Sequence, residues 1–198
     1  MPTFHFSAPP PMSRLGAALV AGAIAIVLNT VALKGADLFH LATAHGGLLR
    51  LLSSRLSGPL ARFGVSSLWS ALHGPPPRGA LFQTGFHLVA GLVMALFYAF
   101  VVEPMLPLSS ELKGWCYAIG LWIVDAAVVL PAAGEGFAGH ATRSAEGIIW
   151  FAACHTLFCL VLAYGFAQLM RGPTADATAL DTRAARRDRH AGRATDGG

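Results

Sequence analysis

Residues 15–33 read LGAALVAGAIAIVLNTVAL, an apolar stretch of 19 positions without a charged side chain. Because a helix rises about 1.5 Å per residue, this stretch is nearly as long as the ~30 Å hydrocarbon core of a bilayer is thick. Three further stretches have similar length and composition. The four predicted spans are residues 15–33, 81–102, 114–132 and 147–170. The sequence therefore predicts an all-α integral membrane protein, a bundle of four transmembrane helices.

The composition of the whole chain agrees with lipid as its main surroundings. Only 12% of the residues are charged and 55% are hydrophobic, whereas a soluble domain has about 25% charged residues. A water-soluble protein with this composition would expose large apolar patches. The net charge of +4 comes with no nucleic-acid recognition motif, and a basic segment beside a membrane helix usually faces anionic lipid. We therefore expect the lipid bilayer as partner and no nucleic acid.

The segment between the first two spans has a different pattern. Within residues 47–72, Leu48, Leu52 and Leu56 recur at helical spacing, and Arg and Ser fill the positions between them. Pro59 is expected to break the run, and the segment is predicted to form one or two amphipathic helices. A helix with one apolar and one basic face lies in the membrane interface rather than across it. The prediction is an interfacial amphipathic segment between spans 1 and 2.

The two ends of the chain are predicted to be tails. Residues 1–14 form a short N-terminal tail, and residues 171–198 have no hydrophobic periodicity, which predicts a disordered basic tail. The even number of spans places both termini on the side of Arg14, Lys113 and Arg171, which the positive-inside rule makes cytoplasmic. Arg strongly outnumbers Lys, and Ala and Gly are abundant, a usage typical of a GC-rich bacterial genome. The predicted location is the bacterial inner membrane.

A few polar side chains interrupt the apolar spans. Asp125 lies deep in the third span, His155 at similar depth in the fourth, and Asn29 near the middle of the first. A carboxylate at the bilayer centre costs at least ~2.5–3.5 kcal/mol, so it must face the bundle interior, take a proton or find a partner. With His87 of the second span, these residues form a predicted site for a ligand or proton. The alternative is a structural clamp, in which Asp125 hydrogen-bonds His155 or Asn29 and locks the helices together.

Cofactor binding is a further alternative. A pair of His residues on separate helices, such as His87 and His155, is what a b-type haem requires. The loop after the third span carries Glu135 and His140, residue types that bind a divalent transition metal, although the sequence has no ligand-like spacing such as His-x3-His. No cofactor is predicted as the leading interpretation; haem b and a divalent metal remain alternatives.

The sequence contains no nucleophile motif, phosphate-binding Gly loop or zincin helix. The leading interpretation is therefore a non-enzymatic membrane protein whose midplane polar cluster serves a small solute, a proton or a partner helix. A homo-oligomer or a partner membrane protein is compatible with this interpretation. The alternative is a haem- or metal-binding membrane subunit of a redox system or enzyme.

The chain also resembles uncharacterised four-helix bacterial inner-membrane proteins, the YagU-like and related families of unknown function. The resemblance lies in the Gly-rich first span GAALVAGAIAIVLNT, in His87, Gly91 and Tyr98 of the second span, in VVLPAAGEG at 128–136, and in His155 followed by LAYG at 162–165. It implies the same four-helix membrane architecture and leaves the activity open.

Overall fold

The computed structural model describes residues 12–41, 47–71, 73 and 79–195 of the chain. Within these residues every regular element is helical, and no strand occurs among them. The main elements in chain order are α1 (Arg14–Leu38), α2 (Gly47–Arg62), α3 (Val65–Ala71), α4 (Ala80–Met105), α5 (Ser110–Ala132), a 3-10 turn (Phe137–Gly139) and α6 (Ala145–Thr195).

Four helices are long and apolar enough to cross a membrane: α1, α4, α5 and α6 as far as Arg171. The shortest has 23 residues and so reaches about 34 Å, more than the ~30 Å of a hydrocarbon core. The predicted number of helices of this length and composition is confirmed. The helix that contains the first predicted span continues to Leu38 through Lys34 and Asp37, which lie 3.9 Å apart as an exposed ion pair.

Small residues bring α1 close to its neighbours. α1 packs between α4 and α6, and α6 also packs against α5. At the α1–α4 contact, Gly22 faces Ala95 and Gly91 faces Ile26, so closely that a Cβ atom added at either glycine would overlap its neighbour. Without water to drive association, such close backbone packing holds membrane helices together.

The two ends of the bundle are packed differently. We call the end where α1 and α5 begin and α4 finishes the terminal end, and the opposite end the loop end. The terminal half is tightly packed. The largest fully buried apolar side chains lie there: Tyr98, Phe158, Leu162 and Phe166. The loop half leaves a cavity between the helices.

Two of the four long apolar helices contain a proline, and each accommodates it with a π-helical turn. The turns are Tyr98–Val102 in α4 and Asp125–Val129 in α5, and their sequences YAFVVEP and DAAVVLP share Ala, Val-Val and Pro at equal spacing. Proline has no N–H and clashes with the carbonyl four residues earlier. Glu103 and Leu130 are the residues just before the two prolines, and their N–H groups bond to carbonyl oxygens five residues earlier instead of four. Each helix therefore continues past its proline.

The segment 47–72 was predicted to be helical, and α2 and α3 confirm this for residues 47–62 and 65–71; residue 72 lies outside the described residues. The predicted break at Pro59 was wrong. α2 continues through Pro59 to Arg62, and the chain turns at Gly64, whose φ is +70°. A positive φ is a conformation that Gly adopts freely. α2 packs on the last turns of α5.

The C-terminal segment is helical rather than disordered as far as residue 195. Residues 171–195 continue α6 without a break to Thr195, where the sequence predicted disorder. Ala and Arg, frequent in this segment, have high helix propensity, and extending an existing helix requires no new nucleus. At the other end, Ser13 caps α1 by accepting a hydrogen bond from the Gly16 N–H. Residues 1–11 and 196–198 lie outside the described residues.

Candidate functional site

A cavity of about 320 Å³ lies in the loop half of the bundle, near the lower limit of small-molecule pockets. The four long apolar helices α1, α4, α5 and α6 contribute to its wall, and Leu48 and Leu49 of α2 also line it. The four residues that the sequence predicted as a ligand or proton site all line this cavity, together with one from the loop before α6. These polar lining residues are Asn29, His87, Asp125, Arg143 and His155.

Asn29 links three helices by hydrogen bonds. Its Nδ2 atom donates to the carbonyl oxygen of Cys154 at 2.7 Å, and its Oδ1 atom lies 3.1 Å from Nε2 of His87. Since a carboxamide oxygen only accepts, the His87 proton must lie on Nε2. Asn29 is 1% exposed, so these bonds are shielded from water. Asn29 thus joins three helices, with His87 and Cys154 as its partners rather than Asp125.

Asp125 and His155 meet differently. Nδ1 of His155 lies 3.0 Å from the carbonyl oxygen of Phe151, which can only accept, so this nitrogen carries a proton. Nε2 of His155 then faces Oδ2 of Asp125 at 3.7 Å, too far for a hydrogen bond. Two lone pairs would face each other if the ring were neutral and the carboxylate ionised. The contact between Asp125 and His155 is therefore attractive only when the pair holds one proton in addition to the one on Nδ1 of His155.

The loop from 133 to 144 folds back under the bundle. Gly134, Gly136 and Gly139 have φ of +81°, +74° and +82°, the left-handed region that glycine adopts without strain. The Glu135 N–H donates to the carbonyl of Leu130 at 2.9 Å, and the Glu135 side chain is fully buried just beyond α5. The glycines on either side of Glu135 were the sequence signal for this turn.

Glu135 and Arg143 form a buried ion pair in this loop. Nη2 of Arg143 lies 2.7 Å from Oε2 of Glu135, and the two side chains are 1% and 0% exposed. The guanidinium carbon also lies 4.7 Å from the centre of the Phe151 ring, a cation–π contact. A Cβ atom at Gly139 would overlap Nη1 of Arg143, so only glycine leaves room for this arrangement.

The ion pair leaves several polar atoms unused. Oε1 of Glu135 and both Nε and Nη1 of Arg143 are buried and have no hydrogen-bond partner among the described residues. Burial lowers the pKa of the Arg143 guanidinium, and the negative charges of Glu135 and Asp125 oppose this shift. An arginine stays protonated in proteins. Arg143 is therefore a permanent positive charge in the cavity wall, which the sequence analysis did not predict.

The predicted metal residues are not brought together. Glu135 points into its ion pair with Arg143, whereas His140 is exposed and its Nδ1 lies 2.9 Å from the Phe137 carbonyl oxygen. Among residues 12–41, 47–71, 73 and 79–195, no group of three His, Cys, Asp or Glu side chains is placed to hold a metal ion. Nε2 of His87 and Nδ1 of His155 are each hydrogen-bonded, and haem b stays an alternative of the sequence analysis.

A second polar cluster lies at the terminal end, away from the cavity. Nζ of Lys113 is 2.7 Å from Oε1 of Glu103 and 3.2 Å from the Glu103 carbonyl oxygen. The Tyr98 hydroxyl donates to the other carboxylate oxygen, Oε2, at 2.8 Å. Both carboxylate oxygens are satisfied. The cluster is therefore a structural contact at the terminal end. The Glu135–Arg143 pair differs from it, because some of its polar atoms have no hydrogen-bond partner among the described residues.

Comparisons of the chain with protein-family models, with curated proteins and with solved structures found no match. The resemblance to YagU-like proteins stays a prediction.

Proposed function

We propose that the chain is an integral membrane protein that binds a small polar solute in its cavity, with the Asp125–His155 pair as a proton site. The observation that carries the proposal is the 3.7 Å separation of Asp125 Oδ2 from His155 Nε2 in the cavity wall. A structural clamp would form a hydrogen bond, as Asn29 does at 2.7 Å to Cys154. Polar side chains within membrane helices are costly and usually functional.

The proton site is tested by replacing Asp125 with Asn, which keeps the shape of the side chain and removes its acid. We expect the folded protein to remain within about 1 kcal/mol of the parent stability, because interhelical polar contacts contribute only ~0.6 kcal/mol on average. An infrared difference spectrum between two pH values should contain a carboxylic-acid band in the parent. The band should vanish in Asp125→Asn and change in His155→Gln.

The exposed Lys34–Asp37 pair supplies the control for that experiment. Asp37 is also a carboxylate of the cavity rim, but its side chain is 70% exposed. Asp37→Asn should leave the carboxylic-acid band intact. An identical band in the parent and in Asp125→Asn would remove Asp125 from the site.

The proposed location is the bacterial inner membrane with both termini in the cytoplasm. The helix order places Arg14, Lys113 and Arg171 at the terminal end, and basic residues favour the cytoplasmic side. A reporter fused after residue 198 should give a cytoplasmic signal, and one inserted in the 133–144 loop a periplasmic signal. The reverse pattern would invert the proposed orientation and place the cavity on the cytoplasmic side.

A further inference from the structure

The polar atoms that the cavity offers to a solute are mainly hydrogen-bond acceptors. Asp125 and His155 line the cavity with side chains that are 17% and 15% exposed. Oδ2 of Asp125 and Nε2 of His155 have no hydrogen bond among the described residues, and neither atom is closed to water as the unbonded atoms of Glu135 and Arg143 are. His87, which donates from Nε2 to Asn29, has a lone pair on Nδ1. The cavity therefore favours a solute that donates hydrogen bonds.

The spacing of Asp125 and His155 suits a donor with more than one N–H group. Their facing atoms are 3.7 Å apart, too far to share a proton in a hydrogen bond of normal length. A nitrogen on the cavity side of the pair can lie about 2.9 Å from both atoms at once, the usual length of an N–H···O bond. A primary ammonium group has three N–H donors and carries the charge opposite to that of a carboxylate.

The charges around the cavity balance when it holds one cation. Lys34 pairs with Asp37, and Arg143 pairs with Glu135, so neither pair contributes a net charge. Asp125 is the remaining carboxylate among the described residues of the lining. Without a proton on the Asp125 pair the cavity therefore has one uncompensated negative charge, which is costly in a low-dielectric site. Either a proton or a monovalent cation removes this charge, so the two should compete.

The neighbouring elements leave this balance to the pair itself. His87 of α4 is neutral while its single proton lies on Nε2, and the Cys159 thiol of α6 is fully buried. α2 packs against the π-helical turn of α5, and its Arg55 and Arg62 side chains are exposed. Within the part of the chain that the structure describes, the charge of the site is thus set by the carboxylate and its imidazole partner.

The remaining lining has a polar and an apolar part. The polar residues lie where α1 finishes and α4 begins, at the loop end: Thr30, Lys34, Asp37, Gln83 and Thr84. Toward the terminal half the lining includes Ile26, Met94 and Phe158, against which a short carbon chain can pack. The described residues place no group of three metal ligands together. An organic cation with a small carbon skeleton therefore fits the lining better than a metal ion.

From this arrangement we propose that the solute is a small primary ammonium ion, which binds in exchange for the proton of the Asp125–His155 pair. Its N–H groups donate to Oδ2 of Asp125 and Nε2 of His155, and its carbon chain contacts the apolar part of the lining. This inference rests on the proposed function and specifies the ligand class of that site.

The test measures binding of propylammonium chloride to the purified full-length protein in a nonionic detergent by calorimetry. An alkylamine stays protonated near neutral pH, as lysine does with a pKa of about 10.4. Propylammonium should bind and release up to one proton. Below the pH at which the pair loses its proton, the apparent Kd should rise about tenfold per pH unit of acidification.

Three comparison probes define the ligand class. Sodium chloride supplies an inorganic cation, 1-propanol a neutral molecule with the same carbon chain, and sodium propionate an anion of similar size. Binding of any of them in place of propylammonium would overturn the proposal. So would propylammonium binding that acidification does not weaken.

The decisive variant is Asp125→Asn, which removes the negative charge and keeps the shape of the side chain. It should lose propylammonium binding by at least about tenfold, the equivalent of 1.4 kcal/mol. The matched control is Glu111→Gln, which removes an exposed carboxylate in the first turn of the same helix and should keep the parent Kd. Unchanged binding in Asp125→Asn would contradict the proposal.

A second pair of variants tests the cavity without touching the acid. Ala90 of α4 lines the cavity, whereas the side chain of its neighbour Val89 is 59% exposed and lies outside the lining. Ala90→Leu should narrow the cavity and weaken propylammonium binding by at least about tenfold, while Val89→Leu should keep the parent Kd. Equal Kd values in the two variants would place the solute elsewhere and refute the proposal.

These outcomes are separable from those of the proton site. Ala90→Leu should keep the pH-dependent infrared band of Asp125 although it loses the solute. If the parent has the band but does not bind propylammonium, the proton site stands and the ammonium assignment fails. If the parent lacks the band, the proposed function fails whatever binds in the cavity.

Discussion

Glu135→Gln is expected to lower the free energy of unfolding by about 3–5 kcal/mol, the largest effect of any single substitution considered for this chain. The change keeps the size of the side chain and removes its charge. Arg143, whose side chain is 1% exposed, is then left as a buried charge without its carboxylate. Thermal or denaturant unfolding of the purified variant in detergent measures the loss.

The double variant Glu135→Gln/Arg143→Gln separates the charge effect from a packing effect. With both charges removed, no buried ion remains uncompensated, so the double variant should be more stable than Glu135→Gln alone. Glu103→Gln at the terminal end is a second comparison and should cost less, because the Glu103 side chain is 20% exposed and water screens the Lys113 charge. A Glu135→Gln protein as stable as the parent would show that the pair is not buried.

Gly91→Ala should destabilise the bundle by about 1–3 kcal/mol, the cost of overpacking a tight contact. The added methyl group would overlap the side chain of Ile26 on α1. α1 and α4 would have to separate, and the Asn29–His87 hydrogen bond between the same two helices should weaken with them. Unfolding measurements on the purified variant give the magnitude.

Gly85→Ala is the matched control for that experiment. Gly85 lies on the same helix as Gly91, less than two turns earlier, and has no atom within 4 Å of an added Cβ. Since Ala has a higher helix propensity than Gly by up to about 1 kcal/mol, Gly85→Ala should be neutral or stabilising. Equal effects at the two positions would contradict the close α1–α4 contact.

Much of the candidate site was predictable from residue type and depth. Asn29, His87, Asp125 and His155 stand out because each places a polar group within an apolar span, where lipid offers no hydrogen bond. The structure brings all four to one cavity. Their pairing was not predictable, because it depends on the rotation of each helix. Asp125 lies at the first residue of a π-helical turn, and such a turn changes the direction of the side chains that follow.

Arg143 was the residue that sequence reasoning missed as a cavity group. It lies in a polar loop, where an arginine is usually solvated, and nothing local indicates burial. Its position follows from three positive-φ glycines and from a carboxylate eight residues earlier in the chain. The same loop conformation directs Glu135 inward and leaves His140 in solvent, so the two predicted metal residues are not brought together.

The sequence alone determined that four helices are long and apolar enough to cross a membrane, because hydropathy and length are local properties that each segment carries by itself. It also determined which polar residues had to find partners, since burying such groups in an apolar environment is costly wherever the helices lie. Only the tertiary structure decided that Asn29 bonds His87 and Cys154, that His155 faces Asp125 without a hydrogen bond, and that Arg143 completes the cavity. Those contacts join residues as far as 125 positions apart, and their geometry depends on helix rotation, proline-associated π turns and loop conformation together.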